Sequence, residues 1–347
     1  MPGGRDPVTR RPTMADVGKL AGVSATTVSY VVNNSVGETI PPATRQRVLD
    51  AVERLGYRPN RAAQGLRTRK THTIGFVNHE TAENAFAGPA MSGTHDVAWS
   101  RGSRMLVVNT NRNSSVLQAS IRDLLDRQVD SIIVLAAGTR AVRLPETLPV
   151  PTMLINCFSP GDAQPCVLPD ERAGGEAQVR MVLDAGHRRI ALLPGTPSAW
   201  ATKARIRGWH AAFAAAGVDF SGVRLAHGAF RVESGYELTQ TVLQQGPAPT
   251  AVLCGNDRMA LGALLALSEA GLQVPADVSV VGYDDQVGLA ANVHPSLTTV
   301  RLPYYAMGRW AADQLLNHRV ESLPRRTAMP CVPVFRQSLA APSAAAG

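Results

Sequence analysis

The sequence predicts two unlike parts: a small all-α, basic headpiece and, behind it, an α/β core of two doubly wound parallel-sheet subdomains. Three observations carry that expectation. Positive charge is concentrated at one end: residues 1–70 hold 12 Lys and Arg against 5 Asp and Glu, while the rest holds 23 against 22. That basic segment is patterned at helical spacing, as a solvated tail would not be. From Thr73 onward, runs of Val, Ile and Leu alternate with amphipathic stretches, the pattern of parallel strands covered on both faces by helices. A chain of 347 residues also fits two or three domains of about 150 residues better than one.

Composition removes several classes. With 45% hydrophobic and 18% charged residues the chain is globular. No apolar run approaches the roughly 18 residues of a membrane span, so no membrane partner is expected. The opening MPGGRDPVTRRPT lacks the apolar stretch of a secretory signal. Cys157, Cys166, Cys254 and Cys331 lie far apart with no C-x-x-C pair, which argues against a zinc site or disulfide framework and fits the cytoplasm. The histidines are scattered without H-x-x-x-H, and neither G-x-x-x-x-G-K-[ST] nor G-x-S-x-G occurs. An enzyme, a cofactor and a metal are therefore not expected.

Each headpiece element has its own signal. Thr13-Met14-Ala15-Asp16 reads as a capping box, and Met14, Val17, Leu20 and Ala21 follow at helical spacing. Gly22-Val23 breaks that helix, and Ser24 caps a second, running to about Asn33. On the second helix Val28, Val31 and Val32 form an inward stripe, while Ala25, Thr26, Ser29, Tyr30 and Asn33 share the opposite face. Two short helices joined by a tight turn containing Gly form a helix-turn-helix, whose second helix fits the DNA major groove. A third helix should follow Pro41-Pro42, with Val48, Leu49, Val52 and Leu55 inward, and stop at Gly56.

The run TMADVGKLAGVSATTVSYVVNN, followed by TRQRVLDAVERLGYRPNRAAQGLRT, resembles the DNA-binding headpiece of the lactose-repressor (LacI/GalR) family of bacterial transcription regulators. The resemblance implies that Ala25, Thr26 and Tyr30 read bases and that Thr27, Ser29 and Asn33 contact phosphates, with Thr13 and Ser24 also at the DNA. It further implies a hinge helix on Asn60, Arg61 and Ala63 that places Leu66 into the minor groove, where an apolar wedge unstacks and bends the duplex. Two positions depart from the family. Tyr30 stands where Arg is common, and Arg is the usual bidentate partner of guanine. Gly18 replaces a usual alanine, which should cost that helix about 1 kcal/mol of propensity.

In the core, strands are expected at 74–77, 104–109, 131–136, 152–156, 189–194, 223–228, 251–255 and 278–284. Helix-like segments such as GGEAQVRMVLDAG, ARIRGWHAAFAAAG and DRMALGALLALSEAG lie between them. The resemblance continues through GHRRIALLPG, GNDRMALGALLALSEAG and VSVVGYDD. It implies the type I periplasmic-binding-protein fold, in which the chain crosses between subdomains three times and the segment near 301–318 returns to the first. The expected organisation is a tail at 1–12, a headpiece at 13–58, a hinge at 59–71, a core at 72–338 and a tail at 339–347. Within the core the first subdomain takes 72–158 and 300–325, and the second takes 159–299 and 326–338.

Ligands of open α/β sheets bind beyond the carboxyl ends of strands. Asn256 follows one such strand, Asp284 ends another, and Arg205 begins a helix. An amide, a carboxylate and a guanidinium converging on one cleft suit a ligand rich in hydroxyls. The family places an effector pocket at these three positions, with Phe86, Asp170, Trp209 and Tyr304 as further lining. Asp257 reads better as a helix cap than as a ligand contact, and His187 as a structural connection. Asn84-Ala85-Phe86-Ala87 and TMLINCF depart from the Asn-Pro-Phe-Phe and Asp-Arg common in the family, both where effector identity is set.

The function so implied is a sequence-specific transcription regulator, a repressor, that binds a pseudo-palindromic double-stranded operator as a homodimer under control of a sugar-like effector. The closing LAAPSAAAG carries no leucine heptads, so a dimer is expected in place of a tetramer. The rival reading is an α/β enzyme or solute-binding module with an appended headpiece. A solute-binding protein would need a signal peptide and no basic headpiece.

Overall fold

The computed structural model describes residues 12–33, 40–58, 70–81, 84–220 and 223–343. The expected hinge contacts Asn60, Arg61, Ala63 and Leu66 lie outside the described residues. The chain divides into two compact units, Met1–Thr71 and His72–Gly347.

In the first unit, α1 (Met14–Ala21) opens on a complete capping box. The Thr13 amide donates to Asp16 Oδ2 at 2.8 Å, and the Asp16 amide donates back to Thr13 Oγ1 at 3.3 Å. Gly22 ends α1 in the left-handed conformation at φ 68°, a geometry glycine adopts without steric cost. Helix α2 (Ala25–Val32) starts with Ser24 Oγ accepting the Thr27 amide at 3.1 Å. Helix α3 (Pro42–Leu55) has Pro at its first turn and stops at Gly56, φ 57°. Val17, Ala21, Val28, Val31, Val48, Ala51 and Tyr57 form the core of this unit. Leu49 is not among them and is 43% exposed. The buried stripe of α3 runs through Val48, Ala51 and the half-buried Val52 and Leu55, and Leu49 is rotated about 100° from Val48 toward solvent. A Cβ on Gly18 would lie 2.7 Å from the Val23 carbonyl oxygen, so the glycine that weakens α1 also lets the turn close against it.

The second unit holds two parallel sheets. The first has strand order β11-β5-β4-β3-β1-β2, built from β1 (Thr73–Asn78), β2 (Arg104–Asn109), β3 (Ser131–Leu135), β4 (Thr152–Ile155), β5 (Cys166–Pro169) and β11 (Arg326–Met329). Helices α4 (Ala87–Ser100), α5 (Ser114–Asp126) and α10 (Tyr304–Leu316) cover it. The two-residue alternation of a strand sorts its side chains: Ile74 and Phe76 pack with α4 and α10, whereas Val77, Ile132 and Val134 pack with α5.

The second sheet has order β7-β6-β8-β9, from β6 (Ile190–Leu193), β7 (Arg224–Leu225), β8 (Ala251–Cys254) and β9 (Ser279–Val281). Its helices are α6 (Glu171–Asp184), α7 (Trp200–Ala215), α8 (Val232–Gln244) and α9 (Asp257–Glu269). A two-stranded antiparallel ribbon of β10 (Thr299–Arg301) and β12 (Val332–Val334) lies on the return path. The segment after β10 does return to the first sheet, where α10 packs on α4 so closely that a Cβ on Gly93 would meet the Tyr305 carbonyl oxygen at 2.1 Å.

Two crossing points differ from expectation. Strand β5 pairs with β4, and β11 pairs with β5, so the chain stays in the first sheet through Pro169 instead of leaving at 158, and again through Met329 instead of leaving at 325. Both strands hide in sequence: Cys166–Pro169 is bracketed by prolines, and Arg326–Met329 alternates exposed and half-buried residues as an edge strand does.

Candidate functional site

The carboxyl ends of the two sheets face one cleft of about 680 Å³, a volume that suits a small organic ligand. The first sheet contributes Asn84 to Phe86 after β1, Gly138 to Arg140 after β3 and Asn156 after β4. The second contributes Ser198 to Ala201 before and at the start of α7, Asn256 after β8 and Asp284 after β9.

Arg205 anchors the second wall. Its Nε donates to Glu171 Oε2 at 2.7 Å and its Nη2 to Glu171 Oε1 at 3.1 Å, the bidentate geometry that a planar guanidinium offers a carboxylate. Nη1 donates to the Gly255 carbonyl, Nη2 lies 3.6 Å from Asp284 Oδ1, and the guanidinium sits 3.5 Å over the Tyr283 ring. Burial opposes its charge, but Glu171, Tyr283 and Asp284 hold the proton more tightly than usual. The packing of α6 on α7 makes this possible. A Cβ on Gly175 would meet the Arg205 carbonyl oxygen at 2.5 Å, and one on Gly208 would meet the Arg172 carbonyl oxygen at 2.0 Å. These glycines let the two helices approach closely enough for Glu171 to reach Arg205.

Asp284 breaks from its strand at φ 109°, a conformation that costs a non-glycine residue on the order of 1–3 kcal/mol and is held by its surroundings. Here its amide donates to the Val300 carbonyl at 2.8 Å, and its own carbonyl accepts the Leu302 amide at 3.1 Å. Burial pushes its carboxyl well above the usual range, partly opposed by Arg205. Asn256 uses Oδ1 to cap α9 through the Met259 amide, 2.9 Å, and donates Nδ2 to the Phe230 carbonyl, 3.2 Å.

On the first wall, Phe86 and Tyr304 stack with centroids 5.2 Å apart. The Tyr304 hydroxyl accepts from Asn156 Nδ2 at 2.6 Å, and Asn156 Oδ1 accepts from the Thr139 hydroxyl at 2.5 Å. Beneath this wall Glu80, 1% exposed, accepts from Arg112 and pairs with Arg140 Nη2 at 2.6 Å. Burial would raise the Glu80 carboxyl, but hydrogen bonds from Arg112, the Ala137 amide and Arg140 outweigh it and hold it below its ordinary value.

The cleft thus brings together Phe86, Arg205, Asn256, Asp284 and Tyr304. It does not include Asp170 or Trp209. Asp170 is the N-cap of α6, accepting the Ala173 amide at 3.0 Å. Trp209 is wholly buried one helical turn beyond Arg205, its indole N–H donating to Gln178 Oε1 at 3.0 Å. Asp257 is not the cap expected of it: buried at the first position of α9, it accepts from the Thr299 hydroxyl and the Gln286 amide, both at 2.6 Å. His187 is a structural link, joined to the Thr250 hydroxyl at 3.0 Å and to the Ala340 carbonyl at 2.8 Å. The sequence alone did not single out Glu171, Asn156, Glu80, Arg112 or Arg140. Glu171 follows a capping Asp at a helix start, where a second acidic residue reads as a partner of the helix dipole.

In the headpiece, Ala25 and Thr26 are exposed on α2, while Thr27, Ser29, Tyr30 and Asn33 are half-buried. Thr27 and Ser24 exchange a hydroxyl hydrogen bond at 3.0 Å, and Asn33 Nδ2 donates to Ser29 Oγ at 3.0 Å.

Residues 13–60 match the family described as bacterial regulatory proteins, lacI family, and residues 71–337 match periplasmic binding proteins and sugar binding domain of LacI family. The ribose operon repressor of Escherichia coli (strain K12) is 30% identical over 329 residues, covering 94% of this chain and 98% of that protein. The HTH-type transcriptional regulator CelR of Thermobifida fusca is 34% identical over 322 residues, covering 89% and 92%. Among solved structures, the lac repressor dimer bound to operator and the anti-inducer ONPF superposes with a TM-score of 0.78 at 28% identity, covering 96% of this chain and all (100%) of that one. The transcriptional regulator CelR–cellobiose complex gives 0.63 at 29% identity, covering 94% and 100%.

Proposed function

The chain belongs to the LacI family of bacterial regulatory proteins, and on that premise we propose how its residues share the work of an effector-controlled, DNA-binding transcription regulator. It is a repressor that binds operator DNA as a dimer and takes a sugar-like effector. In the headpiece, Ala25, Thr26 and Tyr30 read base edges in the major groove, while Thr13, Ser24, Thr27, Ser29 and Asn33 hold the backbone. Asn60, Arg61 and Ala63 meet DNA from the hinge, where Leu66 from each copy wedges into the operator centre. The effector lies between Phe86 and Tyr304 on one wall and Arg205, Asn256 and Asp284 on the other. It favours one relative setting of the two lobes and so changes the separation of the hinges across the dimer. Coupling of this kind requires that effector affinity differ between the DNA-competent and incompetent states.

The observation that carries this reading is the cleft itself: an amide and a carboxylate after strands and a guanidinium on α7, in a core attached to a helix-turn-helix. The operator-bound lac repressor and the cellobiose-bound CelR, both similar over nearly the whole chain, support it. The residues described along the cleft include no histidine or cysteine, which favours a binding site over a catalytic one. No helix among the described residues is long and apolar enough to cross a membrane, and we place the chain in the cytoplasm with its DNA.

Selection from random duplex DNA with the purified chain, followed by titration of the winning site at two salt concentrations, tests the proposal. An enriched palindrome with steep salt dependence is expected. Leu66→Ala should weaken specific binding far more than non-specific binding, and equal losses would remove the wedge. No enrichment, with or without a small-molecule extract, would overturn the DNA-binding reading.

A further inference from the structure

The charge inside the cleft is unevenly placed. Among the described residues Arg112, Arg140, Arg205 and Arg258 line it, against the carboxylates Glu171 and Asp284. The two carboxylates are gathered around Arg205 in the second lobe. In the first lobe Arg112 and Arg140 share one carboxylate, Glu80. The end of β4 holds the neutral Asn156, which is committed to Thr139 and Tyr304. Arg258 donates to the neutral Gln286 side chain at 3.0 Å. Away from Arg205, the cationic excess therefore includes Arg112 and Arg140, whose positions the buried Glu80 fixes from behind.

Arg112 is more exposed than Arg140, at 63% against 32% for the side chains, and it engages Glu80 through Nε. Among the described residues no hydrogen bond occupies its Nη1 or Nη2. A guanidinium tethered at Nε with its two terminal NH2 groups left over is a fork suited to a carboxylate or phosphate, and anchoring it in advance lowers the entropy cost of ordering it on binding.

We propose that the effector is an anionic polyol: hydroxyls held at Arg205, Asn256 and Asp284, and a carboxylate or phosphate held by Arg112 with Arg140 beside it. This rests on the cleft being the effector site. Glu80 is then a positioning residue. It fixes both guanidiniums without neutralising them, since one carboxylate faces two arginines.

The test separates this inference from the reading beneath it. A dialysable small-molecule extract of the native cells is passed over an anion-exchange resin. The flow-through and the salt-eluted, desalted fraction are each added to the full chain, and the thermal unfolding midpoint is read, because a ligand of the folded state raises it. The retained fraction should raise the midpoint. Arg112→Gln should need at least tenfold more of that fraction for half the rise, and Arg112→Lys, which keeps the charge but not the fork, an intermediate amount. Treating the fraction with a phosphatase distinguishes the two anions: a phosphate ester loses its effect and a sugar acid keeps it. A rise caused by the flow-through alone, or an Arg112→Gln titration identical to that of the unaltered chain, overturns the anionic effector and leaves the cleft reading intact. If neither fraction moves the midpoint, the cleft reading falls with it.

Discussion

Replacing Arg205 by Met leaves Glu171 in a pocket where each side chain is 5% exposed. Removing one member of a buried ion pair costs about 3–5 kcal/mol, because the other charge is left uncompensated. Asp284 adds less, because burial already pushes its carboxyl well upward. Glu171→Met should in turn strand Arg205, whose other carboxyl neighbour among the described residues, Asp284, lies 3.6 Å away. The double variant removes both charges, so its loss should fall short of the sum of the single losses by about 0.5–3 kcal/mol, the range expected of residues in one ion-pair network. Urea unfolding of the four proteins at pH 7 measures this. Losses that add within about 0.5 kcal/mol would refute the buried-pair account. A stable variant that has lost its effector response would then be interpretable at Arg205, whereas one that has lost operator binding would report only on folding.

Three further expectations follow from single contacts. Gly208→Ala puts a methyl 2.0 Å from the Arg172 carbonyl oxygen and should cost at least about 1–3 kcal/mol by forcing α6 and α7 apart; an unchanged unfolding midpoint would contradict the close approach. Thr13→Ala removes the hydroxyl half of the capping box and should cost the headpiece about 1 kcal/mol, seen as earlier loss of headpiece helicity with the core transition unmoved. Burial lowers His187 below its ordinary 6.5 and raises Asp257 to about 7, and the two act in opposite directions. The stability His187 contributes is present above about pH 6.5 and is lost as pH falls below it, because the unfolded chain binds the extra proton. The Asp257 contribution is present below pH 3.8 and is lost as pH rises toward 7. The stability difference between the unaltered chain and His187→Gln should therefore decrease from pH 8 to pH 5.5; a flat difference would show that the imidazole is not held neutral.

Much of the architecture is local and so was legible. The Thr13–Asp16 box, the glycines at 22 and 56, and strands as continuous as Ser131–Leu135 are specified by residues a few positions apart. The elements that escaped notice are those whose identity depends on a distant partner. Cys166–Pro169 and Arg326–Met329 have little strand character of their own and are held by pairing with each other, β5 pairing also with β4. Leu49 failed for a different reason: α3 offers apolar residues on more than one side, and only the packing of α1 and α2 on α3 selects Val48 and Ala51.

The site shows the same division one level up. Asn256 and Asp284 could be found because a strand end in a doubly wound sheet is a position the chain itself announces, and Arg205 because the family resemblance marks its place on α7. Trp209 is on the same helix, one turn beyond Arg205, and nothing in the local sequence separates a side chain that reaches the cleft from one that packs beneath it. What separates them is Gln178, 31 positions away, which takes the Trp209 indole at 3.0 Å and donates to the Cys254 and Gly282 carbonyls at 2.9 and 2.8 Å. Glu171 is 34 positions from the arginine it pairs with. Its role follows from two glycines, Gly175 and Gly208, that admit helix backbones where a Cβ would not fit. Asn156, Asn256 and Asp284, which line the cleft, are thus set by strand ends. Those that hold them in place are set by helix packing, and packing between elements so far apart in the chain becomes visible only once it is folded.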